Sequence, residues 1–167
     1  QMIVVCPGGG YAIVSSFNEG AYVADWRVKQ GIAVCVVKYR LPNGHWTVPL
    51  TDVQNAFRYC RAHAAEWGIR QIGVMGFSAG GHLAAWIAAA AKGEERPDFS
   101  ILIYGAMIRS IFWAGTDATQ RLVGKELTAE KVKAMDITEM VDETHPPTLL
   151  LLSDDDLTVR PQSSTLY

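Results

Sequence analysis

The sequence has no block of lysine and arginine, no apolar run long enough for a membrane span, no paired cysteines and no histidine after His145. Fifteen basic residues are scattered among 17 acids over 167 positions, for a net charge of −2. Without a basic patch there is no electrostatic footprint for a polyphosphate, which sets nucleic acid aside as a partner. The longest apolar run, residues 83–91, is about half of the ~20 residues a bilayer requires and is mostly alanine, so it predicts a buried helix. Cys6, Cys35 and Cys60 lie in apolar stretches with neither a CxxC pair nor metal-ligand spacing, and are expected to pack as small hydrophobes. No initiator methionine or charged leader precedes the first apolar run, and the sequence stops inside what reads as a helix's first turn. It is therefore expected to be truncated at both ends, with any targeting segment outside it.

What is present is ordinary for one soluble domain, 49% hydrophobic and 19% charged. Five short apolar runs, at 3–6, 32–37, 72–75, 101–104 and 148–152, are apolar at consecutive positions, as in strands buried on both faces of a parallel sheet. Helical patterns alternate with them. Residues 19–30 carry Tyr22, Val23 and Trp26 on one face and end at Gly31. Residues 51–66 open with the capping box Thr51-Asp52-Val53-Gln54, bury Val53, Phe57 and Cys60, and end at Gly68. Residues 82–92 form the third. This alternation predicts an α/β fold, a doubly wound, mostly parallel sheet with helices on both faces and its chemistry beyond the carboxyl ends of the strands. The interruption at about 106–147, with a predicted helix at 128–135, is the candidate cap over the site.

The most informative stretch is Gly76-Phe77-Ser78-Ala79-Gly80-Gly81-His82. It is Gly-x-Ser-x-Gly between an apolar strand and an alanine-rich helix, the context in which that motif holds a serine hydroxyl out on a tight, strained turn. The glycines are required because a side chain two positions away would strike the neighbouring strand or helix. After the first strand comes Pro7-Gly8-Gly9-Gly10-Tyr11, whose Gly9 and Gly10 amides, with that of Ala79, form a candidate oxyanion hole. A glycine run also suits a phosphate, but this one is neither Gly-x-Gly-x-x-Gly nor the P-loop pattern. After the fifth strand come Asp154, Asp155 and Asp156, any of which could orient a catalytic imidazolium or simply cap the next turn.

A base is the gap in this arrangement. His145 precedes the last strand and is ~20 Å of extended chain from the acids at about 3.3 Å per residue. His82 is one turn into the helix after Ser78 and is expected to pack beneath the elbow. His63 is on a helix without an acid or glycine context, and His45 alone lies in a loop beyond a strand's carboxyl end, where it is the one candidate for a substitute base.

Read together, Pro-Gly-Gly-Gly-Tyr, Glu19-Gly20, Tyr39-Arg40-Leu41-Pro42, the Ser78 elbow, Leu122-Val123-Gly124-Lys125 and Pro146-Pro147-Thr148 with its acidic tail resemble bacterial α/β-hydrolase serine esterases. The likeness runs the full length and is nearest to the acetyl xylan and feruloyl esterase-like carbohydrate esterases, related to the hormone-sensitive lipases. It implies a partial α/β-hydrolase domain over residues 1–167 with no metal or organic cofactor. It also implies a small-molecule or polysaccharide ester as substrate and a secreted or periplasmic location. The family's acid falls in a Gly-x-x-Asp-x-x-Val-Pro pattern, which selects Asp156. Ser153 and Arg160 depart from that pattern and keep Asp155 as the alternative. The family's histidine comes in a Gly-His-Gly-like segment beyond the acid, so these residues alone are expected to be nearly inactive. The resemblance implies hydrolysis of short, acetyl-type esters on plant-wall carbohydrate, with Ser78 as nucleophile and Tyr11 and Trp113 as sugar-stacking candidates. A lipid ester, an arylformamide or a peptide is the alternative substrate, and a non-catalytic binding protein the alternative class.

Overall fold

Predominantly apolar residues form five strands: β1 Met2–Cys6, β2 Ala33–Val36, β3 Ile72–Phe77, β4 Ser100–Ile103 and β5 Thr148–Leu151. The computed structural model describes residues 1–167, and in it all four strand pairings are parallel, in the order β2-β1-β3-β4-β5. Val4 at the centre lies opposite Cys35 on one side and Val74 on the other.

Alternate residues of β1 face opposite layers. Met2, Val4 and Cys6 join the larger core with Val53, Phe57 and Cys60 of α2 (Thr47–His63) and Leu83, Ala84 and Ile87 of α3 (Ser78–Ala90). Ile3 and Val5 face the other way, with Met75, Phe77 and Val23 of α1 (Tyr22–Val28). Each large side chain buried in these layers contributes roughly 1.5–3 kcal/mol relative to exposure. Trp46 and Trp86 stack at 4.6 Å and fasten the start of α2 to α3.

Several sequence expectations change here. The central strands β1 and β3 are buried at every residue, but β2 is half-buried, and Leu149 and Leu151 of β5 are 53% and 44% exposed. These two strands are the sheet's edges, and α1 alone packs on the smaller core's face. The 51–66 helix begins at Thr47, so Thr51 lies inside it rather than capping it. Pro49 fits the first turn, where an N–H has no intrahelical acceptor. The 19–30 helix splits into a π-turn, Phe17–Ala21, and α1, and Gly20 within the turn comes so close to β2 that a Cβ there would be 2.8 Å from Val36. The 82–92 helix starts at Ser78 itself. The 106–147 segment contains α4 (Arg109–Phe112), α5 (Asp117–Val123) and α6 (Ala129–Lys133), the last two capped by the Thr116 and Thr128 side chains. Helix α7, Gln162–Thr165, follows β5 and carries buried Ser163, whose Oγ accepts from the Met107 amide and donates to the Gly105 carbonyl. No helix is long and apolar enough to cross a membrane.

From β1 the chain goes outward to β2 and returns through α2 to β3 on the other side of β1. The strand order thus reverses between β1 and β3. A crevice opens beyond their carboxyl ends, where the glycine loop and Ser78 meet.

Candidate active site

Phe77 ends β3 in extended geometry and Ser78 enters α3 at a φ of +52°, left-handed backbone that costs a non-glycine residue on the order of 1–3 kcal/mol. Close packing enforces the turn. A Cβ on Gly80 would penetrate the Cys6 and Pro7 carbonyls, and one on Gly76 would penetrate the Gly80 carbonyl. Only glycine lets α3 sit this tightly on β1 and β3, and the outcome is a half-buried Ser78 at the head of a helix.

The glycine loop is folded by its own carbonyls. Gly9 O accepts from Ala12 and Ile13, and Gly8 O accepts from Ser15. The amides are divided. Gly8 N donates to Glu19 Oε2 at 2.7 Å, whereas the Gly9 and Gly10 amides donate to no backbone or side-chain acceptor. Ala79, the second residue of α3, adds an amide with no intrahelical acceptor.

Ser78, Gly9, Gly10 and Asp156 line one cavity of about 490 Å³. Asp156 is fixed through Oδ1, which accepts the Thr158 and Val159 amides at 2.8 Å each. Asp155 is exposed, accepts a hydrogen bond from Ser153 Oγ and does not line the cavity. Among the cavity residues to which the sequence assigned no role are Glu19 and Tyr104. The Tyr104 hydroxyl donates to Glu19 Oε1 at 3.0 Å; burial, and then the Glu19 carboxylate, push its pKa up and keep the proton on the phenol. Tyr104 directly follows β4, at the end of the sheet where chemistry is expected, and that position was the signal available in the sequence.

Tyr11 does not face a substrate. It is 2% exposed, and its hydroxyl donates to His82 Nδ1 at 2.9 Å. His82 Nε2 lies 2.8 Å from the Met135 carbonyl, so Nε2 carries the proton and Nδ1 accepts. Burial, reinforced by nearby Arg109, lowers the His82 pKa to about 3, so the ring is neutral and sealed beneath the elbow. Trp113 is half-buried outside the Ser78 cavity, against Phe112 and the Arg109 guanidinium. No residue of 106–147 lines the cavity. The segment braces the glycine loop instead, through Arg121 to the Gly10 carbonyl and the Arg109 guanidinium, 5.5 Å from the centre of the Tyr11 ring.

The remaining histidines are elsewhere. His45 borders a separate depression with Trp46, Glu126 and Lys131; His63 packs against Trp67; His145 contacts Tyr167 at the far end of β5. No three His, Cys, Asp or Glu side chains converge as a metal site.

The chain is similar to known proteins in sequence and in fold. An acetylxylan esterase of Xylanibacter ruminicola is 50% identical over 106 residues, 62% of this chain and 22% of that protein. The endo-1,4-beta-xylanase B of Butyrivibrio fibrisolvens is 27% identical over 182 aligned residues, 99% of this chain and 28% of that protein. The crystal structure of an acetyl ester-xyloside bifunctional hydrolase from Caldicellulosiruptor lactoaceticus matches 99% of the chain at 31% identity with a TM-score of 0.88. The chain spans 22% and 28% of the two curated relatives and 65% of that solved structure. Its fold is that of the α/β-hydrolase esterases, and because the family model matches residues 1–167 from end to end, the chain belongs to the BD-FAE family.

Proposed function

We propose that the protein is a serine esterase that removes short, acetyl-type acyl groups from plant-wall carbohydrate. The observation that carries this is the meeting, in one cavity, of Ser78 at left-handed φ, the unpaired amides of the glycine loop and the fixed carboxylate of Asp156. Ser78 Oγ attacks the ester carbonyl and gives its proton to a general base, while the Gly9, Gly10 and Ala79 amides hold the tetrahedral oxyanion. The base returns the proton to the departing sugar hydroxyl. Water then attacks acetyl-Ser78, releasing acetate and restoring the serine.

Asp156 is the acid that orients the base. Its Oδ1 is occupied by two amides, which leaves Oδ2 to accept from an imidazole N–H. None of His45, His63, His82 and His145 lines the cavity to serve as that imidazole.

Ile13, Tyr104 and Val159 are the hydrophobic residues of the cavity wall, set among Gly9, Gly10, Ser15, Ser78 and Thr158. An acetylxylan esterase and an acetyl ester-xyloside hydrolase among the similar proteins point to acetylated xylan as the alcohol partner. The test is acetate release from acetylated xylan by the natural-length protein, beside p-nitrophenyl palmitate and an arylformamide. Acetate release that is lost in Ser78→Ala supports the reading; preference for palmitate or formamide overturns the substrate, and turnover unaffected by Ser78→Ala overturns the mechanism.

A further inference from the structure

The mechanism leaves one carboxylate in the Ser78 cavity unused. Glu19 lies in the π-turn before α1, and its two oxygens are bonded to different parts of the fold. Oε2 accepts from Gly8, the first residue of the glycine loop, and Oε1 accepts from the hydroxyl of Tyr104 beyond β4. The geometry around Gly8 is tight: a Cβ there would stand 2.9 Å from Glu19 Oε2 and 3.0 Å from Ser78 Cβ. Gly8 is therefore packed against both this carboxylate and the nucleophile's Cβ.

We propose that Glu19 is the positioning residue of the oxyanion hole, clamping Gly8 to Tyr104 so that the Gly9 and Gly10 amides face the reacting carbonyl. This rests on the esterase reading given above. By engaging Gly8, Glu19 selects which amides of the three-glycine run remain free for a ligand. The strained φ of +39° at Tyr104 brings the phenol to its place in the clamp. Glu19 has a second effect on specificity. With Asp156 it places two carboxylates on the cavity wall, so an acyl group bearing its own carboxylate meets two negative charges there, while the Arg121 guanidinium is engaged at the Gly10 carbonyl.

Glutamine at position 19 retains the clamp, since its carbonyl accepts from Gly8 and its amide donates to the Tyr104 oxygen. Alanine removes both bonds. The test measures kcat and KM of the natural-length protein and its variants on p-nitrophenyl acetate and on the anionic mono-p-nitrophenyl glutarate, with hydrogen exchange of residues 8–13. Glu19→Ala is expected to lower kcat on acetate by about 100-fold, the scale of one lost oxyanion donor, with little change in KM and faster loop exchange. Glu19→Gln is expected to keep most of kcat on acetate while raising the glutarate-to-acetate ratio about tenfold, the scale of one nearby charge. Wild-type kcat and exchange in Glu19→Ala would overturn the proposal. So would a Glu19→Gln enzyme as slow as Glu19→Ala, which would mean that the charge rather than the clamp matters. If Glu19→Ala does not fold, Tyr104→Phe replaces it: a partial kcat loss supports the clamp and a wild-type rate overturns it. A wild-type protein that hydrolyses neither ester would end the esterase reading, while loop exchange would still decide whether Glu19 holds the loop.

Discussion

The turn at Ser78 and the loop at Gly9 were legible because their backbone geometry requires residue types that leave a mark in sequence: glycine where a Cβ cannot fit and a Gly-x-Ser-x-Gly run where the strand turns into a helix. Tyr11 was misread. An aromatic on a glycine loop looks solvent-facing, but at φ +57° the chain turns the ring inward onto His82. Glu19 was quoted only as part of a family likeness, since nothing local tells a carboxylate that grips a distant amide from a solvated one. The His82 ring gives a pH signature. Its folded pKa of about 3 lies below the ordinary 6.5, so the unfolded chain binds the extra proton and the ring's contribution is complete above pH 6.5, declining toward pH 3. Between pH 6.5 and pH 5 the loss is about 2 kcal/mol. Burial also lowers the His145 pKa and adds a slope to both proteins. Urea unfolding at these two pH values should therefore show a loss in the wild type that exceeds that of His82→Gln by this decrement; equal pH slopes would mean that the ring is not held neutral.

At the scale of elements, strand positions were readable and helix starts were not. The apolar runs locate all five strands to within two residues at each end, because burial in a parallel sheet demands them. The capping box at Thr51 misled because Pro49 and the Trp46–Trp86 stack begin α2 a turn earlier, so tertiary packing overrides a local cap. The 106–147 segment looked like a cap because long interruptions between strands often are. Its contacts with the glycine loop, such as Arg121 to Gly10 O, join residues 111 positions apart, beyond the reach of any local pattern. The junction most sensitive to substitution is between α3 and β1. Gly80→Ala forces a Cβ into the Cys6 and Pro7 carbonyls and is expected to cost about 3 kcal/mol, at the upper end of overpacking penalties. Ester hydrolysis should fall with it, because Pro7 leads into the glycine loop. A Gly80→Ala protein with unchanged melting temperature and rate would show that the helix can stand off from the strand.

For the whole molecule, the absent features matter as much as the motifs. A net charge of −2 without a basic block, and a cavity whose charged wall residues are both acids, suit a neutral ester on a neutral polymer. Hydrolysis of p-nitrophenyl acetate should therefore change less than about twofold between 50 mM and 500 mM salt, since no long-range attraction is there to be screened. A steep salt dependence would indicate an electrostatically steered substrate instead. The claim on which everything else rests is that Ser78 becomes acylated. Acid quenching during turnover of p-nitrophenyl acetate, followed by mass spectrometry of the tryptic peptide of residues 71–92, reads this directly. The expected result is one acetyl group on Ser78, absent from Ser78→Ala; turnover with the acetyl group on another residue, or undiminished in that variant, would contradict it.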